Sequence, residues 1–206
     1  MRFRLWRKYL LRRIIFASRN MGKILEVKDI LAGTQLQIVS LLDLNDNEDI
    51  IEDGVTFEEN AIKKASHVFN KYKIPIIADD SGLVVDQLNG QPGVHSARYS
   101  GPNATDNQNN IKLIEELKHL PEPHPAKYYC SAVYYNGIKY LSAEGEERGV
   151  ITLVPKGSHG FGYDPLFIPE NYSLTMAELD PIEKNKISHR AKAFNQLKKK
   201  LSTLNP

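Results

Sequence analysis

Asn136-Gly137 stands between two β-type runs, Lys127 to Tyr135 and Lys139 to Glu144, and no other stretch narrows the possible folds as much. Asn and Gly tolerate the left-handed backbone that joins neighbouring antiparallel strands, so the dipeptide predicts a β-hairpin. Glu146 to Val154 extends the same sheet. The residues before the hairpin read as alternating strands and helices. Arg13 to Ala17 is a short apolar strand, and after a polar loop Leu25, Val27, Ile30 and Leu31 recur at near-helical spacing. Asn45 to Gly54 is an acidic loop; Thr56 then opens a helix from about Phe57 to Lys71, with Glu59 at capping-box spacing. Ile74 to Ala78 is a buried strand, ended by Asp79-Asp80-Ser81-Gly82 and resumed as Leu83 to Val85. Gly90 to Gly101 is turn-rich, and Asn107 to Leu120 is a helix stopped by Pro121, Pro123 and Pro125. Glu183 to Leu201 is a last helix whose basic end, Lys198 to Lys200, suits its macrodipole better than it suits a binding patch. Alternation first and a hairpin later place the chain in the α/β class.

With 206 residues, 41% hydrophobic and 25% charged, the chain is long enough to bury a core and has an ordinary globular composition. Its organisation reads as a basic N-terminal arm, residues 1–13, followed by a single domain of two lobes over residues 14–206. The arm, Met1 to Arg13 (MRFRLWRKYLLRR), is read as a tail without functional role. A net charge of +2, with the basic residues gathered at the two ends, argues against a nucleic-acid-binding surface. The chain has no apolar run of about 18 residues, so no membrane partner is expected. The single Cys130 lies in an apolar aromatic run and is read as a buried structural thiol, in keeping with a cytoplasmic setting.

Several polar groups have the makings of a phosphate site. Ser18 and Asn20 are N-cap residue types ahead of a helix, and Lys23 is close by, so free backbone N–H groups and an amine converge on one small volume. Asp79 and Asp80 follow a buried strand and alternate in direction, so that one can face a cleft while the backbone holds the other. A carboxylate there suits Mg²⁺, which prefers oxygen ligands completed by water and substrate phosphates; an Asx turn capping the strand is the plain alternative. Lys63 or Lys64 on the second helix and Lys184 or Lys186 near the last add cations, each of which can equally be a solvated surface charge. The glycine-punctuated loop Lys156 to Asp164 carries Phe161 and Tyr163, whose faces suit a nucleobase, with a core position for Phe161 as the alternative.

Six segments taken in order, SRNMGK (Ser18 to Lys23), TFEENAIKKA (Thr56 to Ala65), IADDSGL (Ile77 to Leu83), PGVHSARYSG (Pro92 to Gly101), GFGYDPLF (Gly160 to Phe167) and ISHR (Ile187 to Arg190), resemble the inosine triphosphate pyrophosphatase family. The resemblance spans about Ile14 to Leu201. It implies an elongated mixed central β-sheet flanked by helices, two lobes with the active-site groove between them, and a homodimer. It also implies that Ser18, Arg19, Asn20, Met21, Gly22 and Lys23 form a phosphate loop with Lys23 on the triphosphate, and that Lys64 is a second active-site lysine. Asp80 matches the general base and metal-binding acid, with Ser81 beside the substrate. Glu52 matches the second metal-linked acid, with Glu48 or Asp53 as substitutes. Phe161, Gly162, Tyr163 and Asp164 match the base-binding loop, Lys184 a further substrate lysine, and His189 with Arg190 the pair that reads the purine. Arg19 and Ala191 depart from the family pattern, which more often has a small residue or Asn at the first position and Gly at the second.

The expected activity is therefore Mg²⁺-dependent hydrolysis of aberrant 6-oxo purine nucleoside triphosphates (ITP, dITP, XTP) to the monophosphate and pyrophosphate. A 6-oxo purine offers an acceptor at O6 and a donor at N1, matching a cationic Arg190 or His189 and an anionic Asp164. Two alternatives stay open: a Maf-type nucleotide pyrophosphatase, and a nucleic-acid-binding module whose acids are structural.

Overall fold

The structure, a computed structural model, describes residues 12–203. The basic arm lies outside these residues except for Arg12 and Arg13, which begin the first strand rather than end a tail. The elements are β1 (Arg12–Phe16), α1 (Met21–Ile30), β2 (Leu36–Ser40), α2 (Phe57–Tyr72), β3 (Ile76–Val85), α3 (Asp106–Leu117), β4 (His124–Tyr135), β5 (Tyr140–Ile151), β6 (Phe167–Pro169), α4 (Pro181–Ile187) and α5 (His189–Ser202). Short 3-10 turns cover Asp86–Leu88 and Gly93–Arg98.

One six-stranded mixed sheet runs in the order β2-β1-β3-β4-β5-β6. The pairs β2 with β1 and β1 with β3 are parallel, and the other three are antiparallel. Helices cover both faces, as a parallel segment requires. On one face Ile14, Phe16 and Ile77 pack with Ile24 and Val27 of α1 and with Ala193, Phe194 and Leu197 of α5. On the opposite face Ile15, Ile76 and Ala78 pack with Ala61, Ala65 and Val68 of α2. A further core joins Leu83, Val85 and Tyr128 to α3 and to the segment from Tyr163 to Leu179. Among the described residues no helix is long and apolar enough to cross a membrane.

Three features depart from the sequence reading. Asp79 to Gly82 do not end a strand, because β4 pairs with β3 along its whole length and opposes Asp79 with Ala132 and Asp80 with Ser131. Gly82 is needed for close approach and not for a turn: a Cβ there would lie 2.3 Å from Ser96 Oγ and 2.5 Å from the Gly93 carbonyl. The hairpin connection is longer than the Asn-Gly pair, since Tyr135 opposes Tyr140 and Asn136 Oδ1 accepts hydrogen bonds from the N–H groups of Ile138 and Lys139. The last helix is broken at Ser188, whose extended backbone starts α5 afresh and whose hydroxyl caps it by accepting from the Ala191 N–H.

The groove lies along the other edge of β3. β1 pairs with β3 only at Ile76 and Ile77, and the next bridge on that edge is Val84 with Pro92. Between the two, no strand among the described residues lies beside β3, and Asp79 to Leu83 pass through the gap.

Candidate active site

A cavity of about 280 Å³ occupies that gap. One of its walls comes from the turn after β1. Ser18 Oγ accepts from the Asn20 N–H, and Asn20 Oδ1 accepts from the Lys23 N–H at 3.0 Å, the N-cap bond expected from the sequence. Ser18, Arg19, Asn20 and Lys23 line the cavity, so the start of α1, with its unpaired backbone N–H groups and the positive end of its dipole, borders it. Lys23 Nζ lies 3.1 Å from Asp79. From the other face of the sheet, Lys64 on α2 reaches Asp80 at 3.1 Å and Glu52 at 3.0 Å. Asn60, one turn earlier, donates to Asp80 at 3.1 Å. Thr56 sets the rotation of α2 by accepting from the Glu59 N–H, while the Glu59 carboxylate reaches one residue beyond capping-box spacing, to the Val55 N–H.

The opposite wall is the loop from Lys156 to Asp164 together with α4 and the start of α5. Gly157, Gly160 and Gly162 have φ of +81°, +78° and +65°, conformations closed to most side chains. Asp164 folds back to accept from the Phe161 N–H at 2.8 Å, pairs with Lys184 Nζ at 2.6 Å, and accepts from the Tyr128 hydroxyl at 3.2 Å. The Phe161 ring lies across Gly22, where a Cβ would fall 2.4 Å from the ring, so this loop rests directly on the start of α1. Lys184 Nζ is 4.9 Å from the centre of that ring. His189 stacks on Tyr128 with ring centres 4.7 Å apart.

A buried charge network joins the two walls. Arg190 donates to Asp79 at 3.2 Å, to Ser81 Oγ at 2.7 Å and to Glu26, and Glu26 also pairs with Lys184 at 2.9 Å. Burial alone pushes the Asp79 carboxyl up, but Lys23, Arg190 and Lys64 together hold it well below the usual range. Burial disfavours the charge on Lys64, yet Asp80, Glu52 and Asp79 more than offset it and raise its pKa. Lys184 is likewise raised, Asp164 and Glu26 outweighing burial. His189 moves the other way: burial first, then Arg190 and Lys184, hold it well below 6.5, so its imidazole is neutral near pH 7.

Nearly every residue expected in the site lines this cavity: Ser18, Arg19, Asn20, Lys23, Glu52, Lys64, Asp80, Ser81, Phe161, Gly162, Tyr163, Asp164, Lys184, His189 and Arg190. Met21 does not, being 57% exposed on the outside of α1, and Gly22 contributes as the seat of Phe161. The alternative residues differ in position. Lys63 pairs with Asp53 at the surface, Lys186 with Glu183, and Glu48 with Lys71 and His67, which leaves Lys64, Lys184 and Glu52 facing inward.

Three expectations are corrected. Tyr163 is 4% exposed with its hydroxyl on the Ser96 carbonyl, so it anchors the loop in the core instead of offering a face to a base. Asp79 is held by cations and not by backbone. Arg190 is 2% exposed and bound to Glu26, Asp79 and Ser81, and His189 is neutral, so neither is the free cation expected to read O6. Arg19 lines the cavity as expected and also pairs with Asp49 at 3.1 Å. Sequence reasoning missed Glu26, although its place one turn after Lys23 on an expected helix put both on one face. Asn60, four residues before Lys64, carried the same signal.

The model of the Ham1 family matches residues 14–200. The dITP/XTP pyrophosphatase of Geobacter sulfurreducens is 50% identical over 188 residues, which cover 90% of this chain and 94% of that one. That of Bacillus subtilis is 45% identical over 194 residues, covering 93% and 98%. The structure of the Staphylococcus aureus Ham1 protein superposes with a TM-score of 0.83 at 36% identity, over 94% of this chain and 100% of that one. A HAM1 protein from Coxiella burnetii gives 0.84 at 39% identity, over 93% and 99%. These relatives are similar in sequence and fold across both walls of the cavity, and they lend no support to a Maf-type enzyme.

Proposed function

Because this chain belongs to the Ham1 family, we infer that it hydrolyses aberrant purine nucleoside triphosphates to the monophosphate and pyrophosphate. The observation that carries this reading is the pairing within one cavity of Lys23, Lys64 and Asp80 on one wall with Phe161, Asp164 and Lys184 on the other. The first wall suits a polyphosphate and the second a flat polar ring. Charge accumulates on the phosphoryl and leaving oxygens during such a reaction, and the ammonium groups of Lys23 and Lys64 are fixed in place to stabilise it. Asp80 is the proposed general base, taking the proton of the attacking water.

Mg²⁺ is the proposed cofactor. Asp80 on β3 and Glu52 on the loop before α2 send carboxylate oxygens to one point, now the Lys64 ammonium, and such hard oxygen donors fit this ion. Among the described residues no group of three or more His, Cys, Asp or Glu side chains could hold a metal, so substrate oxygens and water would complete its shell. When bound, it would supply further positive charge against the triphosphate.

For the base, Lys184 has an N–H beyond those used by Asp164 and Glu26 to offer O6, and neutral His189 can donate from a ring nitrogen. Asp164 would accept from N1–H. Adenine presents the reverse pattern, and each buried polar group left unpaired costs about 1–3 kcal/mol. The proposed substrates are ITP, dITP and XTP, the proposed setting the cytoplasm, and the proposed assembly a homodimer, testable by sedimentation. Pyrophosphate release from ITP, XTP, GTP and ATP, with Mg²⁺ and with a chelator, tests the whole reading. The expected result is fast release from ITP and XTP that the chelator abolishes; equal specificity constants on all four nucleotides would overturn a selective pocket.

A further inference from the structure

Gly162 has both of its peptide groups tied to α3, whose first residue, Asp106, also lines the cavity. Its N–H donates to Asp106 Oδ2 at 2.7 Å, and its carbonyl accepts from Asn110 Nδ2 at 3.1 Å. Asp106 and Asn110 are four residues apart, hence one above the other on the same side of α3. The helix is itself well fixed. Thr105 and Gln108 close a capping box at its start, and Asn109 binds the carbonyls of Ser96 and Ala97. On the loop side, Gly162 takes a left-handed φ of +65°, and its neighbours diverge, Phe161 toward Gly22 and Tyr163 into the core. Asn110 is buried, and its Oδ1 has no hydrogen-bond partner, so its amide is held there by the Gly162 carbonyl.

We propose that Asp106 and Asn110 are positioning residues for base recognition. By gripping Gly162 from both sides they keep the Phe161 ring over the start of α1 and Asp164 against Lys184. This rests on the reading of Phe161 to Asp164 as the base-binding loop. Their hydrogen bonds run to the loop and not to the lysines or acids of the other wall, so losing them weakens the grip on the nucleoside and leaves the triphosphate contacts and the chemistry in place.

The test uses the full-length enzyme with ITP as substrate and inorganic tripolyphosphate as competitive inhibitor. Asp106→Ala is expected to raise KM for ITP about tenfold, the worth of roughly one net hydrogen bond, with kcat and the tripolyphosphate inhibition constant little changed. Asp106→Asn keeps an acceptor oxygen and is expected to restore KM. A KM for Asp106→Ala equal to wild type, or a parallel rise in KM and the inhibition constant, would overturn the proposal. If Asp106→Ala does not fold, Asn110→Leu removes the other half of the grip and is judged by the same two constants. A wild-type enzyme that released no pyrophosphate from ITP would bring down the activity itself, an outcome distinct from a working enzyme indifferent to Asp106.

Discussion

The two walls of the cavity are built in different ways. On the proposed phosphate side most of the charged groups sit on regular elements, Lys23 on α1, Lys64 on α2, Asp79 and Asp80 on β3, with Asn20 and Thr56 capping the helices and Glu52 on a loop. On the base side Phe161 and Asp164 sit on a loop with three left-handed glycines, positioned by bonds from other parts of the chain. A fixed array of charges suits the common part of every substrate, because preorganised groups need not reorganise as charge develops. A loop held by a few hydrogen bonds suits the part that varies.

If that division is right, damage on the two sides separates kinetically. The largest effect is expected for Asp80→Asn, with turnover lower by about 10²–10⁴ as for loss of a general base, and the fold unchanged by circular dichroism. Near-normal turnover would remove Asp80 from the chemistry. Phe161→Ala is expected to raise KM for ITP by the worth of one stacked base, about 1–3 kcal/mol, with kcat little affected. A fall in kcat without a change in KM would mean that the loop takes part in catalysis, and the contrast between the walls would fail.

The smallest effect concerns pH. His189 is depressed below 6.5 in the folded protein, so as pH falls from that value the unfolded chain takes up a proton that the folded one refuses, and stability drops. The slope is at most about 1.4 kcal/mol per pH unit for one such group. Asp79 is also depressed, but its contribution is lost only below its ordinary value of 3.8. Thermal melts of wild type and His189→Gln between about pH 7 and 5 are expected to diverge, the variant being the flatter. Parallel curves would show that His189 takes up its proton in the folded protein as readily as in the unfolded chain.

The same contrast explains which features are legible in the sequence. Groups on regular elements are, because strand, cap and helix periodicity place Asn20, Lys23 and Thr56 without knowledge of the rest, whereas Lys64 is separated from Lys63 only by the family resemblance. The break at Ser188 is less so, since Ser inside an amphipathic stretch looks like a helical residue until its hydroxyl is found capping α5. β3 is misread because Asp-Asp-Ser-Gly carries turn chemistry, and only the full-length partner β4 overrides it. β2, five residues at the sheet edge, offers too little pattern to be noticed. The grip of α3 on Gly162, across 56 residues of chain, and the burial of Tyr163 are tertiary facts with no local trace.

Asp79 and Asp80 lie next to each other on β3 and face opposite sides of the sheet, one toward Arg190 and the other toward Lys64. Removing or adding a single residue just upstream in that strand would exchange the two, since side chains alternate with a period of two. A protein altered in this way would retain all of its chemical groups and have each facing the wrong neighbours. Working relatives should therefore tolerate many substitutions around these acids, but no change in the length of the strand that carries them.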